Sequence, residues 1–407
     1  MLKEIAGGVC AAKGFTAAGV HCGVKAGSSP DKNDLAMILS ERECSAAAVY
    51  TLNRVKAAPI YVTMGNLEDG VCRGVIANSG NANACAPQSH ENAEAMCALA
   101  AQATGLKPGD FVVASTGVIG QELNISAIEK GMPALASALS ADGSDAAARA
   151  VMTTDTVKKE TAVAVTIGGK TVTIGAIAKG SGMIHPNMGT MLCFITTDCA
   201  ITPDVLQDAL HDIVPRTFNR VTVDGDTSTN DMCVVLANGM AGNEQIEWKD
   251  DDYTLFHKAL HQVCETMARA IAADGEGASR LVTCTVKSAR SEESAERLAK
   301  AVVGSSLVKA ALFGADANWG RVLCAMGYSK APFRPEYVDI GFSSIQGSIL
   351  VCEKGTGLDF DEELAKKILT QDEVVIEVSL NEGDHEATCW GCDLTYDYVK
   401  INGDYRT

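Results

Sequence analysis

KGSGMIHPNMGTML, residues Lys179 to Leu192, joins two apolar, β-branched runs, TVTIGAIA (Thr171 to Ala178) and MLCFITT (Met191 to Thr197). Both runs have the composition of buried strands. The Gly, Ser, Pro and Asn between them are residues of strained turns, so the stretch reads as a loop that closes one strand and opens the next. Thr190 falls where the second strand begins. A threonine hydroxyl there can attack the carbonyl before it, and Gly189, lacking a Cβ, leaves room for the approach. Cleavage of the Gly189–Thr190 bond would free an N-terminal threonine. Its α-amine, with an ordinary pKa of about 7.7 to 8.0, can act as general base for its own hydroxyl. On local chemistry alone, a threonine at a strand start after a Gly-rich loop is more often an ordinary turn residue.

Working outward, Ala162 to Ile167 and Thr171 to Ala178 form a hairpin turned at Gly168-Gly169. Further upstream, Phe111 to Ala114 is a short buried strand running into Ser115-Thr116-Gly117. By spacing this is a turn, and it is also a place for the hydroxyl and N–H donors that hold an oxyanion. Gly7 to Lys25 fits a strand pair, and Asp34 to Tyr61 two strand-like runs with polar breaks. Gly74 to Ala77 leads into the turn-rich Asn78 to Cys85. His90 to Thr104 is a helix stopped by Gly105, and Ile125 to Ala148 two helices parted at Asp142-Gly143.

Downstream come a helix at Asp204 to Val214, the acidic turn-forming loop Val221 to Asp231, and the amphipathic helix Asp252 to Ala273. The Gly-flanked loop Asp274 to Arg280 precedes a strand from Leu281, a helix at Ser291 to Val303 and a Gly-rich stretch through Phe313 to Arg321. Strands follow at Tyr337 to Phe342, Gly347 to Cys352 and Glu373 to Leu380, before the tail Cys389 to Thr407. Two domains are the default for 407 residues, with a boundary placed at residues 1–280 and 281–407.

A 47% hydrophobic fraction with 5% aromatics points to a globular core of Ala, Val, Ile and Leu. The net charge of −17, without clustered Lys and Arg, argues against nucleic acid and anionic membrane surfaces as partners. No run reaches the ~18 consecutive apolar residues of a membrane span, and Met1 to Gly8 lacks the apolar core of a signal peptide. Fifteen cysteines without regular spacing read as reduced thiols of a cytoplasmic protein.

The KGSGM, PNM and TML elements around Thr190 resemble the self-processing site of the ornithine acetyltransferase (glutamate N-acetyltransferase, ArgJ) family, and further matches run from the first residues to the last seven. The resemblance implies a layered α/β fold, an αββα sandwich akin to N-terminal-nucleophile enzymes with a smaller C-terminal α/β domain. It implies cleavage into chains 1–189 and 190–407 that pair further into an α2β2 heterotetramer. The implied reaction is ping-pong: Thr190 takes acetyl from N2-acetyl-L-ornithine and passes it to L-glutamate. Thr116 and Gly117 would form the oxyanion hole, and Thr153, Lys179, Thr190, Glu276, Asn402 and Thr407 would bind substrate. No cofactor or metal is implied, and acetyl-CoA stays open as a second donor. The rival within this chemistry is a self-processing aminopeptidase or amidase, with water as acceptor. His185 and Gly189 depart from the family pattern, which commonly has Ala at both, and His185 raises the question of a local pH effect.

Other signals carry less. His257, His261 and Cys264 share a helical face, but amphipathic packing accounts for the spacing better than a metal. Cys389 and Cys392 form a single CxxC with no second pair. Gly169-Lys170-Thr171 lacks the first glycine of a P-loop, and no GxSxG elbow occurs.

Overall fold

The computed structural model describes residues 2–185 and 191–403. The chain divides into two compact units. One takes the chain up to Gly180, continues to Asn219 and includes Thr227–Met267; the other takes Ser181–His185, Arg220–Asp226 and the chain from Ala268 onward.

The first unit is built on a nine-stranded sheet. Its strands are β1 (Lys3–Ile5), β2 (Phe15–Val20), β3 (Leu35–Tyr50), β4 (Val71–Asn81), β5 (Phe111–Val118), β6 (Lys159–Ile167), β7 (Lys170–Lys179), β8 (Leu192–Thr197) and β9 (Met232–Ala237). They run in the order β1-β6-β7-β8-β9-β3-β4-β5, with β2 also alongside β3. The β4–β5 and β8–β9 pairs are parallel.

Strand alternation sends neighbouring side chains to opposite faces, and here both faces are buried. Ala36 and Ile38 of β3 join a core with Ala147, Ala148 and Val151, at and just after helix α4 (Ser144–Ala150). Leu35 and Met37 join one with Met96 and Ile128, on α2 (Ser89–Thr104) and α3 (Ile125–Ser137). Strands buried on both faces read as continuous apolar runs, which is why VVAS and LCFITT show no clean alternation.

The second unit carries a six-stranded sheet. Its strands are β10 (Leu281–Ala289), β11 (Asp339–Ser344), β12 (Gly347–Glu353), β13 (Thr356–Gly357), β14 (Glu373–Ser379) and β15 (His385–Cys392), ordered β13-β12-β11-β14-β10-β15. The helix Glu292–Val303 packs on β10 and β15. It is started by Ser291, whose Oγ accepts from Ser294 N at 3.1 Å, with Glu292 and Glu293 at its positive end.

Four expectations change. Gly7 to Lys25 is not a strand pair: β1 pairs with β6 and β2 with β3. The two runs of Asp34 to Tyr61 are one 16-residue strand, β3, followed by helix α1 (Ala58–Asn66). A register shift between Leu39 and Cys44 lets Glu41, Arg42 and Glu43 face solvent without ending β3. The Gly-rich stretch Phe313 to Arg321 runs from the end of one helix, Ser306–Phe313, into the start of another, Trp319–Gly327. Ser115-Thr116-Gly117 is not a turn after β5 but part of it.

Candidate active site

Thr116 and Gly117 sit near the end of β5, where the strand is unusually tightly held. Ser115 Oγ donates to Asn78 Oδ1 at 2.6 Å, and Asn78 Nδ2 donates to Asn81 O at 2.9 Å. From a distant loop, Asn230 Nδ2 donates to both Ser115 O (2.8 Å) and Ala82 O (2.6 Å). Gly117 has φ +136, and a Cβ on it would lie 2.3 Å from the Gly80 carbonyl carbon, so only glycine fits.

Lys179 ends β7 and pairs across the sheet with Leu192, two residues beyond Thr190 in sequence. Its Nζ donates to Thr116 Oγ1 at 3.1 Å, and both residues are buried. The next residue, Gly180, donates its N–H to Asp155 Oδ1 at 2.7 Å. Asp155 also accepts from Lys159 Nζ at 2.7 Å and from Thr153 N at 3.0 Å. Its side chain is fully buried. Burial alone would raise its pKa, but the Lys179 and Lys159 charges and the Gly180 N–H outweigh burial and hold it at about 2.

Asp231 behaves in the opposite way. Burial pushes its carboxyl well above the usual range, against the pull of Ser228 and Lys179. Its Oδ2 has no hydrogen-bond partner among the described residues. Two carboxyls that both feel Lys179 are therefore driven apart, Asp155 toward the anion and Asp231 toward the acid. That divergence is typical of sites that move protons.

In the second unit Glu276 is 6% exposed. Its N–H donates to Ser181 O at 2.9 Å, and its carboxylate accepts from Asn402 Nδ2 at 2.7 Å. A Cβ on Gly182 would lie 2.2 Å from the Glu276 carboxyl carbon, so Gly182 makes room for that carboxylate. Burial chiefly, with the Lys300 charge beside it and Asp224 opposing, pushes the His185 imidazole down to about 4. Its Nδ1 lies 3.0 Å from Thr222 Oγ1. At neutral pH this histidine is uncharged.

Thus Thr116, Gly117, Lys179 and Thr153 come together through Asp155 in one unit, and Glu276 with Asn402 in the other. Gly189, Thr190 and Thr407 lie outside the described residues. Sequence reasoning missed Asp155, Lys159 and Asn230. Asp155 closes the MTTD motif that carries Thr153, and that adjacency was the one available signal.

His257 is taken up by Asp212 at 2.8 Å and Cys264 is buried in the core. Among the described residues no group of three or more His, Cys, Asp or Glu gathers as a metal site. Cys389 and Cys392, three apart on β15, point to opposite faces and do not make a redox pair. Burial pushes their thiols up to about 12 and about 11. Gly168-Gly169, both at positive φ, is the hairpin turn between β6 and β7, and Lys170 already pairs with Ile167 as the first residue of β7.

A model of the ArgJ family matches residues 16–407. The chain belongs to the ArgJ family. The arginine biosynthesis bifunctional protein ArgJ of Symbiobacterium thermophilum is 52% identical over 407 residues, the full length of both chains. ArgJ 1 of Clostridium acetobutylicum is 50% identical over 97% of this chain and 96% of its own. The crystal structure of the Bacillus halodurans ArgJ protein is 47% identical and matches with a TM-score of 0.50, covering 52% of this chain and 97% of that one. The layered α/β architecture with two sheets is that of an ArgJ chain, as the Thr190 segment implied. No described helix is long and apolar enough to cross a membrane.

Proposed function

We propose that this ArgJ chain is a self-processing N-acetyltransferase of arginine biosynthesis, which moves acetyl from N2-acetyl-L-ornithine to L-glutamate. The observation that carries the site is Lys179 Nζ bonded to the Thr116 hydroxyl at the head of the loop leading to Gly189–Thr190. Because the ammonium donates to Thr116 Oγ1, the threonine's own O–H is left to donate elsewhere, as an oxyanion donor requires. The Gly117 N–H supplies a second donor at a backbone position no other residue can occupy.

In the forward half-reaction the Thr190 hydroxyl, deprotonated by its own α-amine, attacks the acetamide carbonyl, and the oxyanion rests on Thr116 and Gly117. The tetrahedral intermediate collapses by breaking the C–N bond. The proton held on the α-amine goes to the leaving amine, ornithine departs, and acetyl remains as an ester on Thr190. Glutamate's amine then attacks that ester and gives a proton to the Thr190 α-amine; the acyl C–Oγ bond breaks, the α-amine returns the proton to the Thr190 oxygen, and N-acetylglutamate leaves. Lys179 and Asn402 hold substrate, with Glu276 on the ornithine ammonium and Thr153 and Thr407 completing the pocket. No cofactor enters these steps, and acetyl-CoA would enter only as an alternative acetyl donor. The proposed assembly is a cytoplasmic α2β2 heterotetramer of the cleaved chains.

The test is intact mass of the wild type beside Thr190→Ala, followed by assay of the cleaved protein with acetylornithine and glutamate. Fragments splitting after Gly189 only in the wild type, and N-acetylglutamate formed in step with ornithine, are expected. Free acetate released without glutamate would replace this reading with an amidase.

A further inference from the structure

The acidic loop around Asp224 has no part in the chemistry above, yet it is bonded to the processing loop at its root. Asp224 Oδ2 accepts from Met183 N at 2.6 Å and Oδ1 from Ile184 N at 2.9 Å. Beside them Val223 N donates to Ile184 O at 2.7 Å. The same turn is tied at its start, where Ser181 Oγ donates to Asp274 O at 2.7 Å and Ser181 O accepts from Glu276 N.

This anchoring holds an unfavourable backbone. Met183 has φ +56, the left-handed region, where a Cβ crowds the following carbonyl oxygen. Its side chain is 42% exposed, so packing does not impose that conformation. The Asp224 carboxylate bonds to this backbone directly: two N–H groups converging on one anion are charge-assisted hydrogen bonds, roughly twice as strong as neutral ones. Only five residues separate Ile184 from Thr190. Met183 itself lies only seven residues before Thr190 in sequence.

Building on the self-processing reading, we infer that Asp224 is a positioning residue for self-cleavage, fixing the Ser181–Ile184 turn in its left-handed form. An intramolecular attack depends on placement within about 1 Å, and losses of roughly 10²-fold follow when it fails. Asp224 acts through Met183 and Ile184 and touches no reacting atom.

The experiment follows cleavage of freshly synthesised chain by intact mass over time. Asp224→Ala and the milder Asp224→Asn are run beside Asp226→Ala as a control in the same loop, with thermal melts of each. Asp224→Ala should slow cleavage at least about tenfold, Asp224→Asn less, and Asp226→Ala not at all. The decisive variant is Met183→Gly in the Asp224→Ala background. Glycine adopts the left-handed conformation without penalty, so cleavage should recover. A merely structural Asp224 would not be rescued that way. Wild-type cleavage in both Asp224 variants, or slow cleavage that Met183→Gly leaves slow, overturns the inference. A wild-type chain that stays whole sinks the self-processing reading and this one with it. A cleaved wild type matched by Asp224→Ala sinks this one alone.

Discussion

Lys179 donates from Nζ to the Thr116 hydroxyl oxygen across 3.1 Å, though 63 residues separate the two in sequence. The contact orients the Thr116 hydroxyl, the proposed oxyanion donor, and ties it to β7, the strand that precedes Gly189–Thr190 in sequence. Thr116→Val should lower kcat of the cleaved enzyme about 10²–10³-fold, the usual cost of one oxyanion donor, with a smaller change in KM. Lys179→Met should also lower kcat. Because one residue acts partly through the other, the double variant should be less impaired than the product of the single losses. Steady-state kinetics on cleaved protein measure this, and strictly multiplicative losses would show that the two residues work independently.

Asp155 stands between Lys159 and Lys179 with a fully buried carboxylate. Asp155→Asn removes the carboxylate charge that Lys159 Nζ bonds at 2.7 Å in a fully buried pair, a loss of about 3–5 kcal/mol in stability. In the wild type the sign is fixed by a folded pKa of about 2, below the unfolded value. The stabilisation is complete above pH ~4 and is lost as pH falls from ~4 through about 2. Urea unfolding at pH 5 and pH 3 should show this drop in the wild type and a smaller one in Asp155→Asn. An equal drop in both would place the acid sensitivity elsewhere.

The same linkage gives His185 a different window. Its folded pKa of about 4 lies below the ordinary imidazole value of 6.5, so the folded state favours the neutral ring. The stability it contributes is fully present above pH 6.5 and is lost as pH falls through about 4, by roughly 2 kcal/mol once its partial exposure is allowed for. Lys300 and Asp224 face the ring from opposite electrostatic sides, and Thr222 bonds it. In His185→Gln the decline in stability between pH 6.5 and 4 should shrink by that amount. An unchanged profile would mean that the imidazole is not buried as described.

How much of this could be read from sequence depends on how local the cause was. The β6–β7 hairpin was legible because two glycines in succession supply the positive φ its turn requires, and Gly105 as the stop of α2 for the same reason. β3 was not, since the polar Glu41-Arg42-Glu43 looks like a break. Only pairing with β4 and β9 shows that the strand continues through a shifted register. The helix Trp319–Gly327 was hidden by its two glycines, although Asn318 caps it by accepting from Arg321 N. In the site, Thr116, Lys179 and Glu276 came from motif resemblance. Their supports did not: Asn230 reaches Ser115 across 115 residues of sequence, and no local pattern encodes such a contact.

Cleavage after Gly189 should leave two chains that do not separate, and the sheet of the first unit says why. β8 and β9 come from the chain after the cut, while β7 and β3, which flank them, come from before it. The β7–β8 seam pairs Ile174 to Lys179 with Thr197 to Leu192, and the β9–β3 seam pairs Met232 to Ala237 with Tyr50 to Ser45. Releasing the second chain means opening the middle of a sheet twice and exposing Phe194, Ile195, Val234 and Val235, all buried. These seams are backbone hydrogen bonds and apolar contacts, which salt does not screen. The two fragments should therefore co-elute in size exclusion even in 1 M NaCl and resolve only on a denaturing gel. In urea they should part within the same transition that removes the β-sheet circular dichroism signal. Fragments that separate below that transition would show that the seams are weaker than a continuous sheet allows.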